Sequence, residues 1–123
     1  MKKELSILIP TKDYVCTRLV SELVKQATAI QDLIFEVIVA DDGSDVQKTI
    51  EANKAINQFQ HCKYIIRETN VGRSAIRNFL ASQATYPHLL FLDSDVYLPT
   101  PLFLQQYIDV IDSASVVYGN NEC

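Results

Sequence analysis

Residues 89–99 read LLFLDSDVYLP, and this run decides the fold class, because an apolar strand ends abruptly in Asp93, Ser94 and Asp95. A continuous apolar strand is typical of a parallel sheet that is covered on both faces. Two carboxylates at the end of a buried strand are costly unless they stay solvated in a turn or hold a cation. Hard divalent ions such as Mg²⁺ and Mn²⁺ prefer oxygen ligands, so Asp93 and Asp95 are candidate metal ligands.

A second acidic group follows another predicted strand. Phe35–Ala40 reads as a strand, and Asp41 and Asp42 come directly after it. Open parallel sheets bind ligands at the carboxyl ends of their strands, so we expect both acidic groups to line one cleft. Asp45 has a separate explanation, because an Asp at this point can cap the helix that follows.

Strands and helices alternate along the whole chain. The predicted strands are Leu5–Ile9, Phe35–Ala40, Lys63–Ile66, Leu89–Leu92 and Ser115–Tyr118. The helical spacing of apolar residues predicts helices over residues 14–30, 45–59, 73–84 and 102–111. This alternation predicts an α/β fold with an open, mostly parallel Rossmann-like sheet flanked by helices.

Composition limits the classes of protein that fit. The chain has 123 residues, enough for one domain with a real core. Its formal net charge of −4 does not suggest a nucleic-acid-binding protein. No apolar run has the length of a membrane span. The three cysteines, Cys16, Cys62 and Cys123, are scattered and form no metal-binding pair, which predicts a reducing, cytoplasmic environment.

Four segments in a fixed order carry a family resemblance. They are LSILIPTKD (residues 5–13), VIVADDGSD (37–45), NVGRSAIRN (70–78) and LFLDSDVYLP (90–99). Together they resemble the family 2 glycosyltransferases, which are GT-A fold enzymes that use nucleotide-diphospho sugars. The resemblance covers essentially the whole chain and implies a GT-A type sheet.

The resemblance implies a role for each matching residue. Asp42, with Asp41 beside it, would meet the base, and Arg73 would approach the base or the diphosphate. Asp95 would bind Mn²⁺ or Mg²⁺, and Asp93 would bind the ribose hydroxyls or the same ion. The implied residues for the nucleotide sugar are Pro10, Thr11, Asp13, Asp41, Asp42, Arg73, Asp93 and Ser94. The implied metal ligands are Asp93 and Asp95.

The chain departs from the family pattern in two respects. Many members have Tyr-Asn after the first Pro-Thr, where the Tyr stacks on the base, whereas this chain has Lys12 and Asp13. The acceptor site and the catalytic base of inverting members lie in a second half that residues 1–123 do not match. We therefore interpret residues 1–123 as the nucleotide-sugar-binding part of a larger domain. Alone, this part is expected to bind donor weakly, transfer nothing and self-associate through exposed apolar surface.

The resemblance also implies partners and a location. The donor would be a UDP- or GDP-linked sugar, and the acceptor a glycan, a lipid-linked sugar or a similar molecule. The implied process is synthesis of cell-surface polysaccharide or glycan. It would take place in the cytoplasm, with the inner face of the cell membrane as the expected site.

Other functions fit parts of the pattern. A receiver-like domain that binds Mg²⁺ and accepts a phosphoryl group also combines an acidic pair with an Asp after an apolar strand. However, receivers have the pair after the first strand and need a later Lys, and no Lys follows Lys63. A haloacid-dehalogenase-type phosphatase has its DxD motif near the N-terminus, whereas here the motif comes late. A non-catalytic nucleotide-binding remnant is the third alternative.

Overall fold

The computed structural model describes residues 3–113. Within them lie four strands, β1 (Lys3–Thr11), β2 (Leu33–Asp42), β3 (Cys62–Arg67) and β4 (His88–Phe91). The α-helices of this part are α1 (Thr17–Thr28), α2 (Gln47–Asn53), α3 (Arg73–Gln83) and α4 (Phe103–Ser113), and a 3-10 helix, Lys54–Gln58, continues α2. The strands are all parallel, in the order β3-β2-β1-β4, which confirms the predicted α/β class.

The sheet is covered on both faces. Alternate residues of a strand point to opposite faces, so β1 contributes to two separate apolar clusters. Leu5, Ile7 and Ile9 pack in the cluster that contains the buried residues of α1 and α4. Leu8 packs in the other cluster, with Ile76 and Leu80 of α3 and with residues of β2. This two-sided burial explains why the strands read as continuous apolar runs.

The register places the carboxyl ends of the strands side by side. Thr11 of β1 pairs with Asp41 of β2, and Asp42 pairs with Arg67 of β3. The backbone N–H of Leu92, just after β4, donates to the carbonyl of Leu8 at 3.0 Å. The acidic residues that follow two different strands are therefore held at one edge of the sheet, as predicted.

Several predicted boundaries move by a few residues, and tertiary contacts explain two of these shifts. β2 continues through Asp41 and Asp42, since both residues still pair with neighbouring strands. The first helix begins at Thr17 instead of Tyr14. Asp13 has a left-handed backbone with φ of 54°, and this conformation turns the chain before the helix starts. The predicted strand Ser115–Tyr118 lies outside the described residues.

The prediction that Asp45 caps the second helix is wrong. The residue at the N-cap position of α2 is Val46, and no side chain of this helix caps it locally. Asp13 supplies the acceptor from another segment: its Oδ1 accepts the backbone N–H groups of Asp45 at 2.7 Å and Val46 at 2.9 Å. A side chain far away in sequence therefore fixes the backbone of the two residues that lead into α2.

The structure also bears on the question of a membrane segment. Within residues 3–113, no helix combines the length and the apolar character that crossing a bilayer requires.

Candidate functional site

A cavity of about 470 Å³ lies at the carboxyl ends of the strands. Its walls come from the segment after β1, the end of β2, the start of α3 and the segment after β4. Seven of the residues predicted from sequence line it, namely Pro10, Thr11, Asp42, Arg73, Asp93, Ser94 and Asp95. The structure thus brings together residues from four separate parts of the sequence, in the place where open α/β sheets bind their ligands.

Asp42 connects the end of β2 to the loop before α3. Its side chain is almost fully buried, with 7% exposed, yet it reaches the cavity wall. Oδ1 accepts the backbone N–H of Val71 at 2.8 Å, and Oδ2 accepts that of Gly72 at 3.1 Å. A carboxylate has about four lone-pair directions, so each oxygen of Asp42 can accept one more hydrogen bond.

The turn after Asp42 requires glycine. Gly43 has φ of 74°, a left-handed backbone that residues with a Cβ adopt only with strain. A Cβ at this position would lie 2.6 Å from the backbone nitrogen of Asn70. Asn70 in turn donates from Nδ2 to the carbonyl of Asp42 at 3.1 Å. The close approach at Gly43 therefore fixes the 70–72 loop against the end of β2.

Asp41 does not reach the cavity. It is fully buried, and its Oδ1 accepts the backbone N–H of Ser44 at 2.7 Å. Its Oδ2 accepts the hydroxyls of Ser44 at 2.7 Å and Tyr64 at 2.6 Å. Burial raises the pKa of Tyr64 well above its usual range, and the adjacent Asp41 carboxylate raises it further. The structure therefore gives Asp41 a supporting position below the site.

Asp13 also lies outside the residues that line the cavity. Its backbone N–H donates to the Ser44 hydroxyl at 2.7 Å, and its carboxylate accepts two N–H groups at the start of α2. The hydrogen bond from the Val46 N–H, together with that from Lys12, lowers the pKa of Asp13 below its ordinary value of 3.8. Asp13 therefore links the segment after β1 to the turn after β2.

The lowered pKa of Asp13 predicts a pH-dependent contribution to stability. A carboxyl whose pKa is lower in the folded state stabilises the fold above its unfolded pKa, and this contribution is lost as pH falls through the folded pKa. Asp13→Ala is therefore expected to be less stable than the wild type at neutral pH. The gap should narrow as pH falls below about 4, the ordinary range for an Asp carboxyl, and through the lowered pKa of Asp13, as measured by urea denaturation.

Asp45→Ala is the control for this experiment, because it removes a more exposed carboxylate from the same turn. Its midpoint at neutral pH should stay near the wild-type value. A constant gap between Asp13→Ala and the wild type across the whole range would contradict the proposed link.

Asp93 and Asp95 present their carboxylates to solvent. Both are exposed, and neither side chain forms a hydrogen bond or ion pair within residues 3–113. In the same part of the chain, no group of three or more His, Cys, Asp or Glu side chains is placed to hold a metal ion. Two free carboxylates suit a hard divalent ion, whose other ligands would be water or ligand oxygens. The donor set therefore fits Mn²⁺ or Mg²⁺ bound together with a phosphate-bearing molecule.

Cationic side chains line the same cavity. Arg73 begins α3, and Arg77 lies one turn later on the same helix, which places the two guanidinium groups on one face. Arg77 stacks on the ring of Phe91, with its Cζ 4.6 Å from the ring centroid. Lys12 is the third cation, and it pairs with Asp13 at 3.0 Å. The cavity thus combines exposed carboxylates with two guanidinium groups, an arrangement that suits a polyanion together with a cation.

Sequence reasoning missed part of this wall. The lining residues not predicted as site residues are Lys12, Tyr14, Asn70, Gly72, Ile76 and Arg77. Arg77 had a signal in the sequence, since it is spaced four residues from Arg73 on a predicted helix. Tyr14 had none, because its position depends on the turn at Asp13 and on hydrogen bonds that Thr11 and Asn53 donate to its carbonyl.

Comparison with known families identifies the family of this chain. The family model described as glycosyl transferase family 2 matches residues 6–122. The chain belongs to glycosyl transferase family 2. Membership confirms the resemblance seen in the four sequence segments and removes the receiver-like alternative. A search of the curated proteins found no match.

Solved structures show the same fold. The structure of S. aureus TarS, residues 1–349, in complex with UDP-GlcNAc is 32% identical to this chain, with a TM-score of 0.68. The match covers 90% of this chain and 32% of TarS 1–349. The mannosyltransferase PcManGT from Pyrobaculum calidifontis, in complex with GDP-Man and Mn²⁺, has a TM-score of 0.73 at 16% identity. It is matched over 88% of this chain and 32% of its own length.

The solved relatives are much longer than this chain. The chain spans about a third of the length of the solved glycosyltransferases that it matches. The described residues form a parallel sheet with a cavity at its carboxyl edge.

Proposed function

We propose that residues 1–123 form the donor-binding part of a glycosyltransferase that uses a UDP- or GDP-linked sugar. The observation that carries this proposal is the cavity, in which Asp42, Arg73, Asp93 and Asp95 meet from separate parts of the chain. TarS in complex with UDP-GlcNAc and PcManGT in complex with GDP-Man support both classes of donor. The whole enzyme would transfer the sugar to an acceptor, and no residue here is assigned as the catalytic base.

Asp95, with Asp93, would hold the divalent ion, Mn²⁺ or Mg²⁺. The bound ion would stabilise the charge that grows on the diphosphate leaving group. PcManGT, whose structure contains Mn²⁺, supports this assignment. The exposure of both carboxylates and their lack of partners within residues 3–113 leave them available as ligands.

The remaining wall of the cavity would orient the nucleotide. Asp42 can accept an N–H of the base on the lone pairs that Val71 and Gly72 leave free. Arg73 and Arg77 can donate to phosphate oxygens through their planar guanidinium groups. The backbone N–H groups in the first turn of α3 lie at the N-terminal end of the helix, beside Arg73. They can also donate hydrogen bonds to an anion.

The wider role is also part of the proposal. The acceptor would be a glycan, a lipid-linked sugar or a similar molecule, in the synthesis of cell-surface polysaccharide or glycan. The enzyme would work in the cytoplasm at the inner face of the cell membrane. These assignments derive from the family, because the chain spans only a third of its solved relatives.

The experiment that tests donor binding is calorimetric titration of UDP, and then GDP, with and without Mn²⁺. Wild-type protein is expected to bind one of the two nucleotides more tightly when Mn²⁺ is present. Asp95→Ala should lose this metal-dependent gain and keep the metal-free affinity, because it removes a metal ligand and no residue assigned to the base. The preferred nucleotide would also narrow the class of donor sugar.

Asp109→Ala is the control for the loss of a carboxylate. Asp109 lies in α4, is exposed and contacts only Gln105 among the interactions within residues 3–113. This variant should bind as the wild type does. If folded wild-type protein binds neither UDP nor GDP at any Mn²⁺ concentration, the proposed function is wrong for this chain.

A further inference from the structure

One face of α1 carries a row of polar side chains. Arg18, Glu22 and Gln26 are spaced four residues apart and therefore lie above one another on the helix. We call these three residues the α1 polar stripe. The stripe faces residues 97–104, the segment that leads from Asp95 to the start of α4, across a small pocket, and it contacts Tyr97, Thr100 and Leu104.

Gln26 makes the most extensive contacts of the stripe. It is 5% exposed, although glutamine is usually found at the surface. Its Nε2 donates to the carbonyl of Thr100 at 3.1 Å and to Glu22 Oε2 at 3.0 Å. Its Oε1 accepts the backbone N–H of Leu104 at 3.0 Å. Leu104 is in the first turn of α4, so Gln26 satisfies an N–H group that has no partner within its own helix.

Arg18 makes a second attachment closer to the metal ligands. Its Cζ lies 4.2 Å from the centroid of the Tyr97 ring, which is two residues beyond Asp95. Tyr97 is 71% exposed, so burial does not explain why the ring stays in this position. A stack between a guanidinium group and an aromatic ring does explain it. The α1 polar stripe therefore holds the segment after Asp95 at two points, Tyr97 and residues 100–104.

The connection from Asp95 to α4 has little regular structure of its own. β4 ends at Phe91 and α4 begins at Phe103. Between them the local backbone bonds are a turn from the Val96 N–H to Asp93 and contacts around Thr100. Val96 and Leu98 are only partly buried against the core. The position of Asp95 thus depends on contacts with other elements, and the stripe supplies the hydrogen bonds at residues 100–104 and the stack on Tyr97.

We propose that the α1 polar stripe positions the Asp93–Asp95 segment for metal binding, with Gln26 and Arg18 as positioning residues. This proposal rests on the metal-dependent donor binding proposed above. Groups that orient metal ligands from outside the coordination shell affect metal affinity by about 10-fold to 100-fold in known sites. The stripe acts through the backbone of the segment, so we expect an effect at the lower end of this range.

The first test compares Gln26→Leu with the wild type by calorimetry, using whichever of UDP and GDP binds. The affinity gained on adding Mn²⁺ should fall by about tenfold, whereas the metal-free affinity should stay within about twofold. Gln47→Leu is the matched control, because Gln47 makes the same type of bond to Glu51 on α2 and is exposed. Loss of structure alone would lower both affinities together.

Tyr97→Leu provides a second test of the proposal if Gln26→Leu does not fold. Tyr97 is exposed, so its replacement removes the stack on Arg18 without opening the core. This variant should also lose part of the Mn²⁺-dependent gain. Arg67→Leu is its control, since Arg67 stacks on Phe79 at 4.1 Å and does not line the cavity.

Amide hydrogen exchange without ligand tests the stripe independently of nucleotide binding. Gln26→Leu should exchange faster than the wild type in residues 93–104, and residues 70–76 should be unchanged. Unchanged exchange in residues 93–104, or equal losses of affinity with and without Mn²⁺, would overturn the proposal for the stripe alone. A folded wild type that binds neither nucleotide would overturn it together with the proposed function.

Discussion

Asp42→Ala is expected to weaken binding of the preferred nucleotide by at least about tenfold, with or without Mn²⁺. The variant loses the carboxylate that we assign to the base. It also loses the two hydrogen bonds that hold the backbone of Val71 and Gly72 at the cavity wall. Because those N–H groups lie beside the cavity and can be solvated, we expect a loss of stability of about 2 kcal/mol. Calorimetry and urea denaturation measure the two effects.

Asp42→Asn separates the contribution of the negative charge from that of the hydrogen bonds to the backbone. The amide keeps one acceptor oxygen, so it can hold either Val71 or Gly72 but not both through the same geometry. We expect an intermediate loss of stability and a loss of affinity close to that of Asp42→Ala, because an amide lacks the charge that strengthens a hydrogen bond to the base. A folded Asp42→Ala that binds nucleotide as the wild type does would remove Asp42 from the site.

The pattern of apolar runs was sufficient to predict the sheet. β1 and β2 contain runs such as Leu5–Ile9, in which nearly every residue is buried, whereas the shorter β3 and β4 at the edges of the sheet each bury one residue. Burial on both faces produces this signal, and it depends only on local sequence. Strand ends are different. Asp41 and Asp42 belong to β2 because neighbouring strands pair with them, and a single segment does not contain that information.

The carboxylates of the site were also predictable, because acidic residues after buried strands need a physical reason. The sequence did not reveal which of these carboxylates line the cavity and which are buried beneath it. Asp41 and Asp42 are adjacent in a strand, so their side chains point to opposite faces. One therefore lies at the cavity and the other in the core. The left-handed turn at Asp13 likewise depends on a partner more than thirty residues away, at Val46.

The position of Arg77 is another feature of the cavity that could not be predicted from the sequence. On sequence alone, a second arginine one turn after Arg73 is best explained as a solvated side chain. The structure shows it stacked on Phe91, which comes from a different element and lies two residues before Asp93. The stack holds the guanidinium group at the cavity wall, and only the packing of α3 against β4 reveals it.

Asp41→Ala is expected to destabilise the fold by about 3 kcal/mol, since it removes a fully buried acceptor from three donors, one buried and two part-buried. These donors are the backbone N–H of Ser44, its hydroxyl and the hydroxyl of Tyr64. Tyr64→Phe removes one of them and should cost about 1 kcal/mol. Urea denaturation of both variants and of the double variant measures the coupling between the two side chains.

Nucleotide binding by Tyr64→Phe and Asp41→Asn then shows whether Asp41 only stabilises the fold below the site or contacts the nucleotide itself. Both variants keep most of the network and are expected to fold, and neither side chain lines the cavity. Their affinity for the preferred nucleotide should therefore stay within about threefold of the wild type, with the loss confined to stability. If Asp41→Asn instead kept its stability and lost binding, Asp41 would contact the nucleotide, as the family resemblance implies, and the buried arrangement would have to open when the ligand binds.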